Sequence, residues 1–280
     1  MSADRPRRDT VDVVPSRRRF TSPIHASARF VAQRGLLKPL VWRLATVTVL
    51  GRENLTGLNG PFVMVSNHSS HLDAPLLFGS LPRQLSRYVA AGAAADYFFD
   101  VWWRRSLTSL FFNAFPVDRT GLRGKRGMAT SLLDDGVPLL LFPEGTRSRT
   151  GDMGNFKPGA AALCISRDVP CLPVGIVGAS DAMPRGAGWP QKGRPPVYVV
   201  FGEPMRPEDG EKAAVFSDRI AKEVRSLIDY GMDYRERQLT GRPRPLPPAT
   251  GTEQFGSGEY RTGEYGSGDY GTREYGGDQQ

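Results

Sequence analysis

The run Ser66-Asn67-His68-Ser69-Ser70-His71-Leu72-Asp73 holds two of the chain's three histidines and follows directly on the apolar stretch Pro61–Ser66. An imidazole of ordinary pKa, about 6.5, suits a general base near neutral pH. Polar turn residues between the end of a buried strand and the start of a helix are where α/β sheets place their sites. Asp73 would then fall in the first helical turn, where the helix dipole favours a carboxylate. From there it can bond one ring nitrogen of His68 and leave the other free to accept a proton, as in hydrolytic triads. A polar turn with a helix cap fits the same pair when it is taken alone. A zinc site of His68, His71 and Asp73 is a further reading. No other histidine lies nearby and both cysteines, Cys164 and Cys171, fall far along the chain, so no metal is expected.

A second polar turn follows a second apolar run. Val137–Leu141 leads into Phe142-Pro143-Glu144-Gly145-Thr146-Arg147-Ser148. Gly145 lets a backbone approach a ligand closely, and Thr146 and Arg147 offer donors to a phosphate. Glu144 is suited either to hold Arg147 or to bind an acceptor hydroxyl. Lys157, in Phe156-Lys157-Pro158-Gly159-Ala160, precedes a helix start, a place that favours anions. Arg119 closes the apolar run that ends in Val117-Asp118-Arg119.

Asn67 to Asp73 resembles the NHxSxxD signature of the glycerolipid acyltransferase family, typified by lysophosphatidic acid acyltransferases. Phe142 to Ser148 is similar to that family's FPEGTRS block at every position, and Val169-Pro170-Cys171-Leu172-Pro173-Val174 resembles its later Val-Pro-x-x-Pro-Val block. The order and separations agree over roughly residues 50–205. One block departs from the pattern: Asn113 stands where Gly is usual and Pro116 where Phe is usual, while Arg119 is kept. The resemblance implies direct transfer of a fatty acyl group from acyl-CoA or an acyl carrier protein to a lysophospholipid hydroxyl, with 1-acylglycerol-3-phosphate as acceptor. His68 would act as base and Asp73 would fix its tautomer. Arg119, Glu144, Gly145, Thr146 and Arg147 would cradle the acceptor phosphate, and no cofactor or metal is implied. Backbone N–H groups of the His68 turn are expected to hold the oxyanion. Another lysophospholipid or glycolipid acceptor fits the same blocks. An inactive, membrane-associated interaction protein is the reading from a different class, and the intact His68, Asp73 and Glu144 speak against it.

The elements that must position these residues read as a single α/β domain, a mostly parallel or mixed sheet covered by helices. Strands are expected at 61–66, 85–91, 138–142, 172–177 and 197–201. Helices are expected near 73–80, 97–114, 122–135, 159–167 and 211–229. Residues 1–23 read as a disordered basic arm, 24–240 as the acyltransferase domain, and 241–280 as a disordered tail with a Gly, acid and Tyr pentad repeat. Within the domain, residues 24–50 form an amphipathic segment that Pro39 should kink or split.

Charge and composition set the partners. The formal net charge is +8, with eight Arg against three Asp in residues 1–34 and six acidic residues against two Arg in 251–280. A basic end suits anionic lipid headgroups. Nucleic acid rests on charge alone and is not an expected partner. The two cysteines lie in apolar stretches and read as buried reduced thiols. No signal peptide is visible, and the best apolar stretch, Leu36 to Leu50, is short and broken by Lys38, Pro39 and Arg43, so no transmembrane span is expected. The aromatic stretch Tyr97–Arg105 carries a Trp-Trp-Arg-Arg cluster of the kind an interfacial helix displays. These features place the protein peripherally at the cytoplasmic face of the plasma membrane.

Overall fold

The β-branched alternation Thr-Val-Thr-Val is a strand pattern of period two, and it forms β1 (Thr46–Leu50). The sequence reading had merged this stretch with the amphipathic segment before it. Six further strands follow in the computed structural model, which describes residues 18–94, 108–117 and 126–241. They are β2 (Val63–Ser66), β3 (Ala90–Ala94), β4 (Phe115–Val117), β5 (Leu139–Leu141), β6 (Cys171–Val177) and β7 (Pro196–Phe201). Residues 1–17 of the basic arm, the cluster Tyr97–Arg105, Arg119 and the tail beyond Gly241 lie outside the described residues.

One mixed seven-stranded sheet runs β1-β7-β6-β2-β5-β3-β4. Strands β6, β2, β5, β3 and β4 are mutually parallel; β7 is antiparallel to β6 and carries β1 parallel at the edge. The expected strand at 85–91 begins instead at Ala90. Pro82, with its fixed φ, leads into a short helix, α5 (Arg83–Ser86), that takes up the first residues. The Ala-Gly run that follows is a poor strand former by propensity, and pairing to β5 and β4 overrides that preference.

Alternate strand residues feed two apolar layers. Met64 of β2 and Leu172, Val174 and Ile176 of β6 face one cluster, with Val41 of α3 (Lys38–Leu44) and Leu76 and Leu77 of α4 (Asp73–Ser80). Val63 and Val65 face the other, with Leu132 of α6 (Arg126–Asp134), Cys164 of α7 (Gly159–Arg167) and Phe216, Ile220 and Val224 of α9 (Ala213–Thr240). A short helix, α8 (Ala179–Ala182), follows β6. Each fully buried aliphatic or Phe side chain contributes roughly 1.5–3 kcal/mol, and the two layers together fix the sheet. Cys164 and Cys171 are buried free thiols, and burial and their mutual proximity push the Cys171 thiol well up.

From Pro23 to Leu44 the N-terminal segment is one helical run rather than two pieces, formed by α2 (Pro23–Ala32), a π turn (Gln33–Leu37) and α3, and the short α1 (Arg18–Thr21) precedes it across extended Ser22. Helix α1 lies inside the stretch read as arm, and its Phe20 is fully buried in the second cluster. Pro39 has no N–H and would clash one turn back in a regular helix. The π turn absorbs this, with the Lys38 N–H donating to the Gln33 carbonyl five residues earlier. Arg29, 3% exposed, fastens the segment to the core through the Arg87 carbonyl and through Asn113 Oδ1 at 2.7 Å. Burial, then the neighbouring Arg19, lowers its pKa to about 10. Ile24, Val31, Leu36 and Leu40 of the same run stay exposed.

Candidate active site

Strands β2 and β5 are parallel neighbours, with Val65 opposite Leu141, so the chain leaves both at the same edge of the sheet. The turn after β2 carries His68 and the turn after β5 carries Phe142–Ser148. The Ser148 N–H donates to the His68 carbonyl at 2.8 Å and ties the two together.

Asn67 sets the first turn. Its Oδ1 accepts the Ile176 N–H at 2.8 Å and its Nδ2 donates to the Ile176 carbonyl at 2.9 Å, so the side-chain amide pairs with β6 as a strand residue would. Beyond it, Asp73 is 0% exposed at the start of α4, and a single oxygen, Oδ2, does all its bonding. That oxygen accepts the Ser69 N–H at 2.7 Å and the Ser70 N–H at 2.8 Å, and it lies 2.8 Å from His68 Nδ1. A carboxylate there requires the proton on Nδ1, which leaves Nε2 as the acceptor. The imidazole stacks on Phe142, with centroids 4.1 Å apart and planes 17° from parallel.

Glu144 bonds to two backbone amides. Its Oε1 accepts the His68 N–H at 2.7 Å and its Oε2 the Gly154 N–H at 2.9 Å. It is therefore a clamp that joins three loops. Burial raises its pKa, opposed in part by those two amides. The N–H groups of His68, Ser69, Ser70, Leu72 and Asp73 are committed within the turn or to Glu144.

Gly145, at φ +75°, turns the second loop and lies against the Lys157 ammonium. Gly145, Thr146 and Arg147 line one cavity of about 620 Å³ with His68 and His71. Its inner wall is apolar, from Ala74, Pro75, Gly92, Phe112, Val117 and Leu141. The structure thus brings together His68, Asp73, Glu144, Gly145, Thr146 and Arg147, while Arg119 lies outside the described residues. His71 also lines the cavity, and burial, then Arg147 and His68, lowers its pKa. Among the described residues no three His, Cys, Asp or Glu side chains gather to hold a metal ion.

One of the two departures from the family block, Asn113, has a physical reason. Asn113 adopts φ +50°, left-handed backbone that glycine takes freely and asparagine tolerates best among the others. Its side chain, buried, then receives Arg29. Asn67, Asn113 and Phe142 all sit in or beside the quoted blocks, yet their contacts depend on β6, α2 and the His68 ring, which no spacing rule reveals.

A family model described as Acyltransferase matches residues 46–177. A 1-acyl-sn-glycerol-3-phosphate acyltransferase of Pseudomonas aeruginosa is 30% identical over 201 residues, 68% of this chain and 73% of that protein. The chloroplastic 1-acyl-sn-glycerol-3-phosphate acyltransferase LPAT1 of Arabidopsis thaliana is 32% identical over 67% of this chain and 49% of its own length. A 1-acyl-sn-glycerol-3-phosphate acyltransferase of Chlamydomonas reinhardtii is 34% identical over 50% of this chain. The chain spans 41% and 49% of the last two relatives' lengths, Chlamydomonas and Arabidopsis respectively. The crystal structure of the 1-acyl-sn-glycerophosphate (LPA) acyltransferase PlsC from Thermotoga maritima superposes with a TM-score of 0.57 at 25% identity, covering 76% of this chain and 85% of that one. On these grounds the chain belongs to the 1-acylglycerol-3-phosphate acyltransferase-like family of acyltransferases.

Proposed function

We propose that the protein transfers a fatty acyl group from a thioester, acyl-CoA or acyl carrier protein, to the free hydroxyl of 1-acylglycerol-3-phosphate, giving phosphatidic acid. The observation that carries this is the 2.8 Å contact of His68 Nδ1 with buried Asp73, beside a cavity that joins cationic and apolar walls. Nε2 takes the acceptor hydroxyl proton as that oxygen attacks the thioester carbonyl carbon. Asp73 stabilises the imidazolium that forms. The tetrahedral intermediate collapses with rupture of the C–S bond, and the thiolate leaves and recovers the proton from Nε2. In this reading Arg147 and Thr146, with Arg119, bind the phosphate, the apolar wall takes an acyl chain, and no cofactor takes part.

Attachment to a lipid surface belongs to the same reading. No helix among the described residues is long and apolar enough to cross a membrane. The run α2–α3 exposes Ile24, Val31, Leu36 and Leu40. Burial, then Arg52, lowers the proton affinity of Arg34, and burial, then Arg34 and Arg52, that of Lys38. An apolar row flanked by cations suits an anionic interface. The cytoplasmic face of the plasma membrane, rich in such lipid, is the surface we assign.

The test is a panel of lysophospholipid, lysoglycolipid and monoacylglycerol acceptors with a labelled acyl-CoA, read by product mass. Phosphatidic acid from 1-acylglycerol-3-phosphate is the expected product. Transfer only to another acceptor would replace the acceptor assignment, and no transfer with either thioester would reject the reaction.

A further inference from the structure

The cavity beside His68 has a cation that none of the motif blocks contains. Among the described residues its titratable lining is His68, His71, Arg147 and Arg185, with no carboxylate. Arg185 lies beyond residue 177, where the family match ends.

Its placement is built by the catalytic turn itself. Ser70 Oγ donates to the Met183 carbonyl at 2.8 Å and anchors the loop that follows α8. The chain then makes a tight turn, closed by the Ala187 N–H to the Pro184 carbonyl at 3.1 Å, with Gly186 in third position at φ +89°. A type II turn has that form and presents its second residue, here Arg185, at the corner. Arg185 Nη1 donates to the Arg147 carbonyl at 2.8 Å. No carboxylate pairs with this guanidinium among the described residues, whereas the neighbouring Arg235 is taken by Asp181. One donor thus fixes the group beside Arg147, and the rest of its fork remains available.

We propose that Arg185 is a specificity-determining residue of the acceptor site and takes the phosphomonoester headgroup together with Arg147. The inference rests on the acyl-acceptor reading above and deepens it. Two arginines that line one cavity, with no carboxylate among its described lining residues, match a dianionic phosphate better than a zwitterionic or neutral headgroup. Ser70 of the motif acts as a positioning residue, by tying the loop that carries Arg185 to the turn that carries the base.

The full-length protein is compared with R185Q and R185K. Glutamine keeps an N–H donor but carries no charge; lysine keeps the charge. Calorimetric binding of a soluble short-chain acceptor, 1-hexanoylglycerol 3-phosphate, is measured at low and high salt, beside steady-state kinetics for acceptor and thioester. R185Q is expected to weaken acceptor binding about tenfold and raise the acceptor KM alike. Its kcat should stay within threefold, its thioester KM should be unchanged, and its salt dependence should flatten. R185K should recover most of the affinity. Wild-type affinity in R185Q, or an effect confined to the thioester KM, overturns the proposal. A wild-type protein that binds this acceptor without acylating it would refute the reaction instead, and the binding series would still decide the role of Arg185.

Discussion

Replacing Asp73 by asparagine separates the charge of this residue from its shape. Three hydrogen bonds converge on Oδ2, from His68 Nδ1, the Ser69 N–H and the Ser70 N–H, at 2.7–2.8 Å. An asparagine oxygen in that place can accept all three, so the turn should still close. The new NH₂ would occupy the place of Oδ1, a buried oxygen without a hydrogen-bond partner, and so exchanges one unsatisfied group for another. The stability change is therefore expected to be about 1 kcal/mol, or roughly 2–4 °C in Tm for a domain of this size. Catalysis should suffer far more. Once His68 has taken the proton, its imidazolium faces a neutral amide at a site that is 0% exposed. Breaking a buried charge pair costs about 3–5 kcal/mol, and each 1.36 kcal/mol is tenfold in rate, so kcat should fall about 10²- to 10⁴-fold. The assay is thiol release from a long-chain acyl-CoA with 1-acylglycerol-3-phosphate in mixed micelles, together with a thermal melt. Turnover within tenfold of wild type, in a variant that melts normally, would refute the assignment of Asp73 as the stabiliser of the imidazolium.

E144Q leaves one of two backbone donors, His68 N–H or Gly154 N–H, facing an NH₂ group. It should cost about 1–3 kcal/mol in urea unfolding, with a matching loss of turnover as the base shifts. R29M strands Asn113 Oδ1 and the Arg87 carbonyl and should destabilise by about 2–4 kcal/mol. The double variant R29M/N113G should recover part of this in a mutant cycle, and strict additivity would show that the two residues are not coupled. His71 has a folded pKa below its unfolded value of about 6.5. Its contribution to stability is thus present above that pH and is lost as pH falls through and below it. Between pH 7.5 and 5.5 the urea midpoint of wild type should drop further than that of H71Q, and parallel curves would contradict this.

Local patterns made much of the molecule legible from sequence. Helices α4 and α7 were expected near 73–80 and 159–167 and span those ranges. Strands β2, β5, β6 and β7 read correctly because continuous apolar runs between turn residues mark buried parallel strands. Strand β3 was misplaced because its Ala and Gly residues carry no strand signal of their own and its order comes from its neighbours. The pairing of His68 with Asp73 was readable, since both belong to one short turn. The roles of Glu144 and Ser70 were not. Their partners, His68 and Met183, lie 76 and 113 positions away and meet them through the sheet order.

The amide of Asn67 has a further consequence for how the reaction proceeds. Because that side chain completes a rung with Ile176, the segment bearing the base is an extension of the sheet instead of a loose connection. The backbone that carries the imidazole cannot shift without breaking that rung. In the proposed reaction the base is therefore held at a fixed place on the sheet, and the acceptor hydroxyl must come to it. Turnover of a bilayer-borne acceptor should then respond more to lipid fluidity than to loosening of this segment.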